Sequence, residues 1–148
     1  MPKNPRLIAQ ESVEQCLATR LRQLSRAVTN HYDAALREFG VTSNQASILA
    51  VIAVLGNPTP RELEPILMMD ASTISRNVRL LMANQWVAQI PGSDRRSHRL
   101  VISPLGVELM MKVYPAWKRS QRWARNLLGN GGESTVRRLA RKVNPDVP

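Results

Sequence analysis

Apolar positions along the chain keep a helical period at both ends and change to a strand-like pattern once, past residue 85. Between Ser12 and Phe39 they recur at 17, 21, 24, 28, 32, 35 and 39, in steps of three and four. That spacing predicts one long amphipathic helix, with Gly40 as its stop. Thr42 and Gln45 form a T-x-x-Q capping box that opens a second helix. Its run Ile48, Leu49, Val51, Ile52, Val54 and Leu55 is apolar on every side, which predicts a helix buried mid-domain and broken at Gly56-Asn57-Pro58. Thr59-Pro60-Arg61-Glu62 gives a second capping box and a short helix, with Leu63, Ile66 and Leu67 inward. Asp70 can cap the next helix, from about Ala71 to Ala83, whose inner stripe is Ala71, Ile74, Val78 and Leu81.

After Asn84 the pattern changes. Trp86 to Ile90 and His98 to Ile102 have strand length and strand composition, so they predict a β-hairpin whose linker, Pro91 to Ser97, is polar and basic. Ser103-Pro104 opens a further long helix, to about Leu128, carrying Leu109, Met110, Val113, Tyr114, Trp117 and Ala124. Pro115 lies inside it and predicts a kink or a break. Gly129-Asn130-Gly131-Gly132 ends that helix; with no strand before it and no lysine, it reads as a turn rather than a phosphate loop. A short basic helix, about Ser134 to Val143, precedes a tail expected to fray.

Composition narrows the classes. The chain has 148 residues, 43% hydrophobic and 22% charged, which suits one globular domain, or one completed by dimerisation. Its formal net charge of +10 points to a polyanionic partner, nucleic acid before a membrane surface. A basic protein without such a partner is the plain alternative. The single cysteine, Cys16, permits no internal disulfide and no cysteine-rich zinc site, and the two histidines, His31 and His98, form no ligand pair, so no metal or cofactor is expected. The apolar run from Ala46 to Leu55 is half of the roughly 20 residues a spanning helix needs. With a polar start and no visible signal peptide, the expectation is a soluble cytoplasmic protein with no membrane partner. No nucleophile elbow, P-loop, metal cluster or paired carboxylates near a histidine are present, so an enzyme is not expected.

The helix from Ala71 carries the functional argument. At 100° per residue its apolar stripe lies within about 80° of arc. Ser72, Arg76, Arg79 and Ala83 cluster on the opposite side, flanked by Thr73 and Ser75. Hydroxyls and guanidinium groups on one face suit a major groove, where arginine pairs with guanine and hydroxyls bond phosphates or base edges. A solvated face holding two arginines is the alternative. The hairpin linker adds Asp94, Arg95 and Arg96, about 15 residues beyond that helix. A narrow minor groove attracts inserted arginine, and an acid beside the arginines makes sense if Asp94 pairs with one and fixes the loop.

These motifs together resemble the MarR family of bacterial transcriptional regulators. The resemblance is carried by the capped segment Thr59 to Leu67, by Ala71-Ser72-Thr73-Ile74-Ser75-Arg76, by Leu80-Leu81, by Asp94-Arg95-Arg96 and by Ser103-Pro104-Leu105-Gly106. Where the family usually has Gly before the first wing strand, this chain has Asn84-Gln85-Trp86, and Asn84 tolerates the left-handed conformation such a turn needs.

The resemblance implies a mainly α fold with a small β-hairpin: a winged helix-turn-helix lobe at 42–103, within a single domain at 1–148. It also implies dimerisation helices at 12–39 and 104–143. Apolar Met110, Tyr114, Trp117 and Leu128 would stand exposed in a monomer, which agrees with a homodimer. The implied function is sequence-specific binding of double-stranded DNA through Ser72, Thr73, Ser75, Arg76, Arg79, Asp94, Arg95 and Arg96. The implied regulator represses at a pseudo-palindromic operator and is relieved by a small, aromatic effector, with His31, Tyr32 and Trp117 as candidate contacts. Packing is the alternative for each of these three. A non-specific architectural DNA protein is one competing class; a redox regulator using Cys16 is another, since some family members sense peroxide through a cysteine on the first helix. Arg20 and Arg22 could lower the thiol pKa, but the tyrosine partner usual in those sensors is missing.

Overall fold

The computed structural model describes residues 4–94 and 97–145. The elements are α1 (Pro5–Gln15), α2 (Leu17–Leu36), a 3-10 turn (Arg37–Phe39), α3 (Ser43–Leu55), α4 (Pro60–Leu67), α5 (Ala71–Ala83), β1 (Val87–Pro91), β2 (His98–Ile102), α6 (Pro104–Leu128) and α7 (Gly132–Val143). The strands pair antiparallel, Val87 opposite Ile102 and Pro91 opposite His98.

Local signals explain most boundaries. Thr42 with Gln45, and Thr59 with Glu62, close reciprocal capping boxes at α3 and α4. Asp70 caps α5 and Ser103 caps α6 through their side chains. Gly40 stops the first helical segment in the left-handed region, at φ 70°. α3 is the hub: it packs against α2, α4, α5, α6 and β2. Its Ile48, Leu49 and Ile52 meet Leu36, Leu63, Ile74, Leu81 and Leu100 in one buried cluster. Fully burying each such side chain stabilises the fold by about 1.5–3 kcal/mol.

Five expectations are corrected. The segment 12–39 is not one helix. Asn4 caps an earlier start at Pro5, and the chain turns extended at Cys16 (ψ 103°). Arg20 then caps the end of α1, its guanidinium donating to the carbonyls of Val13 and Glu14. α3 is not buried all round, because Val54 and Leu55 are exposed at its end. Ala71 is exposed too, leaving Ile74, Val78 and Leu81 as the buried face of α5. Pro115 does not interrupt α6. Its missing N–H would have met the carbonyl of Met111, one turn back on a water-exposed face where Met111 is 72% exposed, so solvent can satisfy that group. Finally, the first residue after α7 is docked: the Asn144 side chain is buried and donates to the carbonyls of Pro65 and Ile66 on α4, while the fraying expected of 146–148 lies outside the described residues.

No single helix among the described residues is long and apolar enough to cross a membrane. Exposed apolar side chains are concentrated on the outer helices: Leu7, Leu17 and Leu21 on α1 and α2, Met111, Tyr114 and Leu127 on α6, and Val136, Leu139 and Val143 on α7. Trp117 is exposed as well, whereas Met110 and Leu128 are half-buried.

Candidate nucleic-acid interface

α4, the turn at Met68–Asp70, and α5 form the helix-turn-helix. Met68 makes that turn in the left-handed conformation, φ 50°. Ile74, Val78 and Leu81 seat α5 on the core, so Ser72, Ser75, Arg76 and Arg79 face outward and are exposed. Arg76 makes no hydrogen bond or ion pair with any described residue. Arg79 donates to Ser75 Oγ at 3.4 Å, a long bond one helical turn apart. Thr73 is half-buried, and Asn77, on the same side, donates to its carbonyl at 2.9 Å.

Ser72 and Thr73 are already engaged. Ser72 Oγ donates to Asp70 Oδ1, Thr73 Oγ1 donates to Asp70 Oδ2 at 2.9 Å, and the Thr73 N–H donates to Asp70 Oδ1 at 2.8 Å. These bonds, the Ser72 hydroxyl first, hold the Asp70 carboxyl well below the usual carboxylate range. Asp70 thus organises the tip of α5 as well as capping it. The signal was present in the sequence: a capping Asp followed by hydroxyl residues two and three places on.

The wing stands beside α5 and is fixed at its base. Leu100 N–H donates to the Pro58 carbonyl at 2.8 Å, and Arg99 Nη1 to the Asn57 carbonyl at 2.7 Å. At its tip the Ser97 N–H donates to Asp94 Oδ1 at 2.8 Å, and the Asp94 N–H to Ser97 Oγ at 3.3 Å. Arg95 and Arg96 lie outside the described residues, and with them the expected pairing of Asp94 to an arginine.

The turn into the wing is kept, but by a different residue. Asn84 is right-handed at φ −85°, and Gln85 takes the left-handed conformation at φ 61°. Ser103 then ties the far side, its N–H donating to the Trp86 carbonyl and its hydroxyl to the Gln85 carbonyl. Gly106 packs so closely that a Cβ there would collide with the Trp86 carbonyl oxygen.

Behind this surface, α2, α3 and α6 enclose a cavity of about 310 Å³. Tyr32 and Trp117 line it, with Tyr114, Leu36, Leu49 and Val113. Tyr32 Oη donates to Gln121 Oε1 at 2.8 Å, and burial pushes the phenol pKa up against the pull of Arg125. His31 is not part of the wall; it stacks on Trp123 at 3.8 Å between ring centroids. Cys16 is half-buried at the α1–α2 break, immediately before Leu17 opens α2. Hydrogen bonding from the Thr19 side chain and backbone lowers its thiol pKa, with a smaller contribution from the charge of Arg22.

Residues 39–97 match the sequence profile of the MarR family. An uncharacterised HTH-type transcriptional regulator of Bacillus subtilis, YwoH, is 29% identical over 62% of this chain and 66% of its own length, just under two thirds. The multiple antibiotic resistance protein MarR of Salmonella typhimurium is 25% identical over 74% of this chain and 78% of its own. Among solved structures, a mutant MarR from E. coli complexed with operator DNA superposes with a TM-score of 0.79 at 18% identity, covering 90% of this chain and 96% of that one. BpsR of Bordetella bronchiseptica, described with regulation of its DNA binding by 6-hydroxynicotinic acid, gives 0.76 at 17% identity, covering 85% and 96%. Residues 39–97, the helix-turn-helix and wing, thus match the MarR family, and the chain as a whole shares the fold of the MarR structures.

Proposed function

We propose that this protein is a homodimeric, sequence-specific DNA-binding transcriptional regulator that represses at a pseudo-palindromic operator and releases it when a small ligand enters the cavity between α2, α3 and α6. One observation carries the DNA-reading part. α5 buries Ile74, Val78 and Leu81 and leaves Arg76, Arg79, Ser72 and Ser75 outward beside the wing. That is the disposition a major-groove helix requires. Dimerisation is supported by the exposed apolar side chains of α1, α2, α6 and α7, which a second copy would cover. Two copies related by a two-fold axis read a palindrome. The cavity borders both α3, the hub of the DNA-binding lobe, and the outer helices α2 and α6. A ligand there would shift one set against the other.

Selection of DNA from a random pool, combined with sedimentation of the free protein, tests this. The expected result is an enriched inverted repeat and a mass about twice 16.6 kDa. Enrichment of no sequence, with a steep salt dependence, would leave the non-specific architectural class. A monomer mass would remove the palindrome.

Redox control through Cys16 has one supporting observation, the thiol pKa lowered by Thr19. It predicts that peroxide weakens operator binding by the natural protein and not by Cys16→Ser. An equal response in both would reject it.

A further inference from the structure

The first two hydroxyls of α5 have their protons committed. Ser72 Oγ and Thr73 Oγ1 each donate to the Asp70 carboxylate, the first to Oδ1 and the second to Oδ2 at 2.9 Å. The direction of these bonds is fixed: the Asp70 carboxyl is held well below the usual carboxylate range, so at neutral pH it has no proton to give. A hydroxyl carries one proton and two lone pairs. Ser72 Oγ, exposed at the second position of the helix, therefore turns only lone pairs outward. Giving its proton to an ion also polarises the oxygen and makes it a better acceptor. Thr73 is in the same state but half-buried. Ser75 differs: its Oγ accepts from Arg79 and donates to no described residue, so its proton is available.

Phosphates and base edges respond oppositely to that state. A phosphate oxygen at neutral pH offers only lone pairs, so a hydroxyl whose proton is committed cannot bond it, and the Asp70 charge beside the hydroxyl repels it. Turning the Ser72 proton outward would forfeit a charge-assisted bond. A base edge can supply the missing proton. In the major groove adenine N6 and cytosine N4 are donors, while guanine O6 and thymine O4 at the corresponding places are acceptors. Residues at the N-terminal end of a major-groove helix are the ones that meet base edges. Resting on the reading of α5 as that helix, we infer that Ser72 is a specificity-determining residue that accepts from an exocyclic amine, so each half-site carries adenine or cytosine on the strand facing Ser72 and excludes guanine and thymine there. Asp70 is the positioning residue that sets this polarity. Arg76, four places further on, selects the opposite class, because a guanidinium only donates and pairs with guanine.

Selection from a random DNA pool by the full chain, by Ser72→Ala and by Asp70→Asn tests the inference, followed by titration of single-base variants at one salt concentration. The natural protein is expected to fix one position per half-site as adenine or cytosine on one strand. It should lose about fivefold or more in affinity when that base becomes guanine or thymine. Ser72→Ala should bring the four bases within about twofold of one another at that position and leave the rest of the site unchanged. Asp70→Asn, whose amide donates as well as accepts, frees a hydroxyl proton and should admit guanine or thymine there. A position sensitive to Ser72→Ala that prefers guanine or thymine in the natural protein would overturn the inference. So would a uniform loss on every sequence, the mark of a phosphate contact. A preference for adenine or cytosine that survives Ser72→Ala and disappears in Asp70→Asn would assign the reading to the carboxylate itself and also overturn it. An enriched site that Ser72→Ala leaves unchanged would overturn the inference and leave the DNA-reading function standing. Enrichment of no sequence by the natural protein would remove both.

Discussion

The Ser97 N–H donates to Asp94 Oδ1 at 2.8 Å, so the acid at the wing tip staples the loop on which Arg95 and Arg96 lie. A staple and a repulsive charge make opposite predictions. Asp94→Ala removes a negative charge, which by charge counting strengthens DNA binding. As a staple its loss costs affinity, and most for operators with A·T-rich flanks, where a narrow minor groove attracts arginine. Titrations on A·T-rich and G·C-rich flanks at one salt concentration separate the two. Tighter binding on every sequence would reduce the wing to a basic surface.

Gln85 holds φ 61° in a turn where a side chain is disfavoured by roughly 1–2 kcal/mol, while glycine costs roughly 0.5–1 kcal/mol in unfolded-chain entropy. Gln85→Gly is therefore expected to stabilise the fold by about 0.5–1 kcal/mol, seen as a higher urea midpoint with an unchanged slope. Gly106→Ala should do the reverse, because the new methyl meets the backbone carbonyl of Trp86. A lower midpoint for Gln85→Gly would show that the side chain, not the backbone, matters there.

The depressed pKa of Asp70 sets an acid limb. Its contribution is complete above the unfolded aspartate value of about 3.9 and is lost as pH falls below that toward the folded value. Asp70→Asn keeps an oxygen for the Thr73 N–H but does not titrate. The stability gap between natural protein and Asp70→Asn should be constant at neutral pH and shrink below about pH 4. A gap independent of pH would show that the carboxylate charge adds nothing to the cap.

Asn144 joins the end of α7 to α4 through the carbonyls of Pro65 and Ile66. Removing a hydrogen bond of this kind costs about 1–2 kcal/mol. Asn144→Ala should lower stability by that amount and speed amide exchange in α7. Exchange unchanged in α7 would mean that the contact is incidental.

Capping is local chemistry, and it was readable from sequence: Thr42, Thr59, Asp70 and Ser103 each bond a backbone N–H within three residues. Two features were not readable, for different reasons. The break at Cys16 hides in a stripe whose spacing continues through it, because Leu17 and Leu21 keep the helical period while standing 76% and 65% exposed. The cavity joins residues 32, 43–50 and 109–117, which only the packed fold brings together. Adjacent residues on one helix also diverge: Tyr32 reaches the cavity, while His31, about 100° around α2, stacks on Trp123.

The central claim is that α5 reads base sequence through Arg76. The direct measurement is affinity for the selected operator and for a scrambled duplex, at one fixed salt concentration, for the natural protein and Arg76→Ala. The natural protein should prefer the operator strongly. Arg76→Ala should lose about 1–3 kcal/mol on the operator and little on the scrambled duplex, with its melting temperature unchanged, since Arg76 bonds no described residue. Equal affinity of the natural protein for both duplexes, or an operator affinity untouched by Arg76→Ala, would contradict it.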